Sequence, residues 1–283
     1  MLDKKDIYDD IGLVPTDNSS KIFNDASVDL FEKLKPQPVC ISIGEHSFGQ
    51  TIYPTPFGSY GDYSCLVGAS KAKKSFMKSA ICAAFFGGGA VDYFPDIKSH
   101  HTQGKWLIDI DTEQSDFHSQ RVFRRVTEMV GAIPPNYANF ALRRYTPQER
   151  MDFIDWLVYE SPYKGKIGMI SIDGYADLIS DFNDIDQSQV LTSNLLKWSH
   201  DANCHITGIL HKNFGSEKPV GHVGSFVLKK AETVAFITPT LDSNDNIDHT
   251  LPVRVECRYS RNMPFDEFSF VIGSDHLPKI SLF

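Results

Sequence analysis

The chain has little cysteine and no pattern in what it has. Cys40, Cys65, Cys82, Cys204 and Cys257 are odd in number, widely spaced and never in a CxxC pair. That excludes a disulfide frame and the usual zinc signature, and small core residues are the expectation. Long hydrophobic runs are missing too. The nearest, Ala80 to Ala90, lies in a glycine-rich context and falls short of the roughly 18 apolar residues of a membrane span, so no membrane segment is expected. The first residues, MLDKKDIYDDIGLVPTD, put acids where an export signal needs a basic start and an apolar run, which points to the cytosol. Positive charge is also short, with 28 Lys plus Arg against 36 Asp plus Glu and a formal charge of −8. A global basic coat for nucleic acid is excluded, although a local basic groove is not.

The acidity is concentrated. Residues 1–37 hold eight acids and five bases, and Asp177, Asp181, Asp184 and Asp186 stand without a base up to Gln187, so the remainder is nearly neutral. The dense acids after Asp173 fit a solvated face better than a metal or partner site. With 41% hydrophobic and 12% aromatic residues, the 283-residue chain can bury a full core. One α/β domain with an extension accounts for the length, residues 1–37 as an arm and 38–283 as the domain, with the break at Lys35-Pro36-Gln37-Pro38.

After a breaker-rich stretch at 44–62, expected to be hairpin or loop, strands and helices alternate. Strands are expected at 63–67, 105–110, 140–142, 167–172 and 205–210, with helices at 75–86, 119–130, 147–159 and 188–200. This order predicts a mostly parallel sheet covered on both faces. Strands at 233–237, 252–258 and 267–272 follow without helices between them and predict an antiparallel C-terminal edge.

Chemistry enters at Gly68-Ala69-Ser70-Lys71-Ala72-Lys73-Lys74-Ser75. A phosphate-binding loop needs a strand, a turn of inward N–H groups, a Lys for the outer phosphates and a Ser or Thr for Mg²⁺ at a helix start, and all occur here in order. The departure is Lys73, where the pattern GxxxxGK[ST] has its second Gly, so a Lys-rich loop capping a helix is the competing explanation. About a hundred residues on, an apolar strand ends at Asp173, the carboxylate a Mg²⁺ site requires at a neighbouring strand tip. A third strand delivers Glu113, placed to orient water.

Over about residues 39–273 the sequence resembles the RecA-like P-loop NTPases, in particular the plasmid RepA-type hexameric helicases and related ATPases of mobilisable elements. The resemblance rests on GASKAKKS, the strand ending in DTEQ, IGMISIDGYADLISDFND, ITGILHKN with Gly221-His222-Val223-Gly224-Ser225, and Arg258-Tyr259-Ser260-Arg261. It implies ATP and Mg²⁺ as ligands, a nucleotide cradle at Gly68 to Phe76 with Lys74 on the phosphates, and Ser75 and Asp173 around the metal. It further implies Glu113 as the base, His211 and Asn213 as a γ-phosphate sensor, and Gly224 and Ser225 near DNA-binding loops, with Lys218 in the same basic stretch. Arg261 would serve a neighbour's nucleotide, which implies a ring or filament of identical chains acting on single-stranded DNA. The match there is partial, since Tyr259 stands where those helicases have Lys. Phe48, Tyr53, Phe57 and Tyr60 could stack on bases or close the core edge. The expected activity is ATP hydrolysis coupled to DNA handling; the alternative is a nucleotide-binding regulator or scaffold with little turnover.

Overall fold

The computed structural model describes residues 17–213, 219–242, 247–248 and 250–281. The chain divides into two units, residues 1–36 and 37–283. In the first, α1 spans Asp17–Ala26.

The second unit is α/β. Its strands are β1 (Val39–Phe48), β2 (Thr51–Ser59), β3 (Tyr63–Gly68), β4 (Ile97–Ser99), β5 (Trp106–Asp111), β6 (Tyr137–Ala141), β7 (Ile167–Asp173), β8 (His205–His211), β9 (Thr233–Pro239), β10 (Val253–Ser260), β11 (Phe268–Ile272) and β12 (Pro278–Ile280). The helices are α2 (Lys74–Phe86), α3 (Ala90–Tyr93), α4 (Asp116–Val130), α5 (Pro147–Tyr159), α6 (Ile185–Asp201) and α7 (Gly221–Lys230), with a 3₁₀ turn at Tyr175–Leu178. Nine strands form one sheet in the order β12-β11-β10-β9-β3-β8-β7-β5-β6, and β2-β1-β4 form a small second sheet. Strands β9, β3, β8, β7, β5 and β6 run parallel, while β10, β11 and β12 turn antiparallel.

The burial follows from composition. β3 (YSCLVG) and β7 (IGMISID) are buried along their whole length, as unbroken apolar strands must be when helices cover both faces. Alternate residues feed two cores. Cys65 and Val67 pack with α5, α6 and α7 residues such as Ile154, Leu195 and Val227, whereas Leu66 packs with Met77 and Ile81 of α2 and Val126 of α4. Four of the five cysteines are buried and Cys257 is half-buried.

The breaker-rich stretch is a long hairpin rather than a loop. β2 carries Pro54 and Pro56 yet pairs with β1 alone, and prolines are tolerated on an edge strand with no second ladder to break. Register shifts in β1 mark bulges at the same place. Phe57 and Tyr60 are core residues, while Phe48 and Tyr53 are exposed on the distal half of the hairpin. Among the described residues no helix is long and apolar enough to cross a membrane.

Candidate functional site

β3 ends at Gly68, and the chain turns through residues 69–73 into α2. A Cβ at Gly68 would lie 2.6 Å from the Ile237 carbonyl oxygen, so the close approach of β3 to β9 requires glycine there. Lys71 (φ 62°) and Lys73 (φ 65°) are both left-handed, and Lys73 is the residue that opens α2. The position therefore has the backbone a glycine would take, held by a lysine at a steric cost. No side chain caps α2 among the described residues, which leaves its N-terminal dipole facing the loop.

Lys74 is buried, and its ammonium donates to the carbonyls of Gly68 (3.0 Å) and Ala69 (2.6 Å) and lies 3.2 Å from His211 Nδ1. Burial pulls its pKa down to about 8, opposed by Asp173 and Glu113. Ser75 Oγ donates to Asp173 Oδ2 at 2.8 Å, joining the first turn of α2 to the tip of β7. Burial pushes the Asp173 carboxyl up, and Lys78 is the main opposing charge.

β5 brings Asp111 and the following turn to the same edge. Asp111 Oδ1 accepts from the N–H groups of Glu113 (3.0 Å) and Gln114 (2.9 Å), so a buried carboxylate shapes the turn that presents Glu113. Thr112 Oγ1 lies 2.6 Å from the Asp173 carbonyl oxygen and 2.8 Å from Asp177 Oδ2, and accepts the Gly174 N–H at 2.8 Å. This hydroxyl ties the tips of β5 and β7 together. Glu113 is exposed and stands 3.7 Å from His211 Nε2, and the neighbouring imidazole holds its carboxyl below the usual range.

These groups surround a cavity of about 590 Å³ lined by the loop from Ser70 to Phe76 together with Glu113, Gln114, Asp173 and His211. Val122, Arg125 and Ile272 complete the wall. Lys74, Ser75, Glu113, Asp173 and His211 sit at the carboxyl ends of parallel strands or just beyond, where open α/β sheets bind ligands. The donor set fits Mg²⁺: a hydroxyl and a carboxylate are hard oxygen ligands, and Mg²⁺ commonly takes one or two protein ligands with phosphates and waters supplying the rest. No cluster of three or more His, Cys, Asp or Glu groups suited to a metal occurs among the described residues.

Two arginines change the sequence-level picture. Arg125 was not singled out by its sequence context; it stacks 3.7 Å over the Phe76 ring and reaches Ser79 Oγ at 3.2 Å, and burial lowers its pKa to about 10. Its signal lay only in α4 periodicity, because its ring partner is 49 positions away. Arg261 lies elsewhere within the chain. Ser260 pairs with Thr233 at the start of β9, and Arg261 Nη1 binds Asp62 Oδ2 at 2.7 Å just before β3 begins. It also donates to the Lys230 carbonyl. The structure thus places Arg261 at the opposite end of the strands from Lys74 and does not bring it to the cavity.

The remaining predicted residues scatter around the site. Asn213 donates to the Pro219 carbonyl at 3.2 Å, away from the cavity lining. Gly224 is buried against Pro219, where a Cβ would meet the proline at 2.5 Å, and Ser225 is exposed. Lys218 lies outside the described residues. Asp184 caps α6 through the Gln187 N–H at 2.9 Å, so at least one member of the acidic run is a helix signal. No protein-family model matches the chain, and neither does any curated protein.

Proposed function

We propose that this chain is a Mg²⁺-dependent ATPase of the RecA-like P-loop class that couples ATP hydrolysis to DNA handling in the cytosol. One observation carries the reading: Lys74, Ser75, Asp173, Glu113 and His211, from four separate strand ends, converge on one cavity. Chance surface polarity does not assemble an ammonium, a hydroxyl–carboxylate pair and an exposed carboxylate around an uncapped helix start.

In this reading the first N–H groups of α2 and Lys74 hold the β- and γ-phosphates, and Lys74 exchanges its two loop carbonyls for phosphate oxygens. Ser75 and Asp173 would hold Mg²⁺, which supplies charge neutralisation on the phosphates when bound. Glu113 takes a water as hydrogen-bond acceptor and aligns it for attack, and His211, beside both Lys74 and Glu113, reports the γ-phosphate. Val122, Ile272 and the Arg125–Phe76 stack give the base an apolar and cationic wall. A ring or filament of identical chains on single-stranded DNA belongs to the same proposal, with the exposed Ser225 of α7 on the side facing DNA and Gly224, buried against Pro219, shaping that turn instead of touching DNA.

The test is ATP turnover by the purified chain with and without single-stranded DNA, beside Glu113→Gln. Turnover that falls at least a hundredfold in Glu113→Gln while ATP still binds supports the reading; ATP bound with no turnover in any state sinks the enzyme. A second reading, a nucleotide-binding regulator or scaffold, has its own observation. Arg261 is engaged inside its own chain by Asp62 and the Lys230 carbonyl, which favours a site that works without that trans cation.

A further inference from the structure

Lys78 lies one helical turn beyond Lys74 and Ser75 on α2, inside an apolar run. Its side chain is fully buried. The ammonium sits 2.8 Å from Asp109 Oδ1 on β5 and 4.0 Å from Asp173 Oδ2 on β7. Asp109 is equally buried, and its Oδ2 accepts the Tyr137 hydroxyl from β6 at 2.8 Å. A line of polar groups therefore runs from the edge strand β6 through the sheet interior to the Asp173 carboxylate.

Such a line is expensive. Removing a carboxylate and an ammonium from water costs several kcal/mol each, and an apolar replacement of equal volume is commonly as stable. Fold stability alone gives no reason for Lys78 here, where Met or Leu would continue the run of α2. The geometry supplies another. Asp173 Oδ2 accepts the Ser75 hydroxyl at 2.8 Å and lies 4.0 Å from the Lys78 ammonium, so two groups on successive turns of the same helix face one carboxylate oxygen.

We infer that Lys78, set by Asp109 and Tyr137, is a positioning residue that orients the Asp173 carboxylate for Mg²⁺ bound with nucleotide. The inference rests on the nucleotide reading above. Asp109 cancels the excess charge of Lys78, so the ammonium orients Asp173 without binding it outright, as its longer distance to that carboxylate shows.

The test compares the full chain with the variant Lys78→Met/Asp109→Leu/Tyr137→Phe, which removes the line while Asp173 keeps the Ser75 hydroxyl as its hydrogen-bond partner. Fluorescent ATP-analogue affinity is measured in Mg²⁺ and in EDTA, beside urea denaturation. The expected result is a folded protein of comparable stability, EDTA affinity within twofold of wild type, and at least a tenfold loss of the gain in affinity that Mg²⁺ provides. A variant that keeps the full Mg²⁺ gain overturns the proposal. If the triple variant does not fold, Tyr137→Phe alone carries the test: a two- to threefold smaller Mg²⁺ gain is expected, and an unchanged gain overturns it. A wild-type chain that binds the analogue in neither buffer removes the nucleotide reading itself, and the positioning role falls with it.

Discussion

Replacing Arg261 by alanine separates the two roles open to it. In the structure the guanidinium binds Asp62 Oδ2 at 2.7 Å and also caps the Lys230 carbonyl. Asp62 is 8% exposed at its side chain, whereas Arg261 is 49% exposed. A fully buried pair broken on one side costs about 3–5 kcal/mol, and a solvated one about 0–1 kcal/mol. This pair lies between, because water still reaches the guanidinium but hardly reaches the carboxylate. Asp62 keeps the Tyr63 N–H as a donor, and the Arg261 N–H bond to the Glu232 carbonyl survives truncation. The expected loss is therefore about 2 kcal/mol, most of it from the carboxylate left in a poor solvent. Urea denaturation at pH 7 measures it as a lower midpoint at unchanged slope. Asp62→Asn in a double-mutant cycle should recover about 1 kcal/mol of coupling. Nucleotide affinity should stay within twofold of wild type, since six residues of strand, about 20 Å, separate Asp62 from Gly68. A variant as stable as wild type that has lost ATP turnover would refute this reasoning and return Arg261 to a neighbour's nucleotide.

Acid should destabilise the fold through His205. Burial holds its folded pKa at about 4 against 6.5, with Nδ1 3.1 Å from the Ser59 carbonyl and Nε2 2.9 Å from Ser64 Oγ. The unfolded chain takes the proton first, so stability is full above pH 6.5, falls as pH drops towards 4, and loses about 3 kcal/mol across that window. Denaturant midpoints at pH 7 and 4.5 check this, and a pH profile of His205→Gln that matches wild type would contradict it. In the loop, Lys73→Gly should raise stability by about 0.5–1 kcal/mol, because glycine relieves the left-handed backbone that Lys73 holds. Thermal unfolding reads this as a rise of a few degrees, and a fall would show that the Lys73 side chain contributes more than its backbone costs.

The parallel sheet and its antiparallel edge were legible because the strand–helix order and the apolar runs of β3, β7 and β8 are local signals. So was the meeting of the candidate site residues at one edge, since Lys74, Ser75, Asp173 and Glu113 each close or follow a strand that the pattern already marked. What stayed hidden depends on distance along the chain. Arg261 and Asp62 are 199 positions apart, and no pattern near RYSR shows that the arginine folds back onto the start of β3. Lys78 was visible as a charge in an apolar helix, but its meaning needed Asp109 and Tyr137 from two other strands. The β1–β2 hairpin was one of two expectations for its stretch, hairpin or loop, because its prolines are excluded from a central strand and tolerated on an edge strand.

The two ends of the central strands carry polar groups of opposite character. At the amino end, Glu232 accepts from the Ser59 N–H and hydroxyl at 2.6 Å each and from Asn262 at 2.8 Å, while Asp62 and Arg261 satisfy one another. That cluster closes on itself and joins β2, β3, β9 and β10, so its hydrogen bonds are spent on the fold. At the carboxyl end Lys74 is held by loop carbonyls, which are weaker partners for an ammonium than phosphate oxygens, and Glu113 meets His211 only at 3.7 Å. Groups at that end face a cavity of about 590 Å³. The same residue types therefore act differently at the two ends. Arginine at the closed end is committed to the fold, and lysine at the open end faces the cavity. The Lys78–Asp109 pair stands between them, buried like the closed cluster but aimed at a carboxylate of the open one.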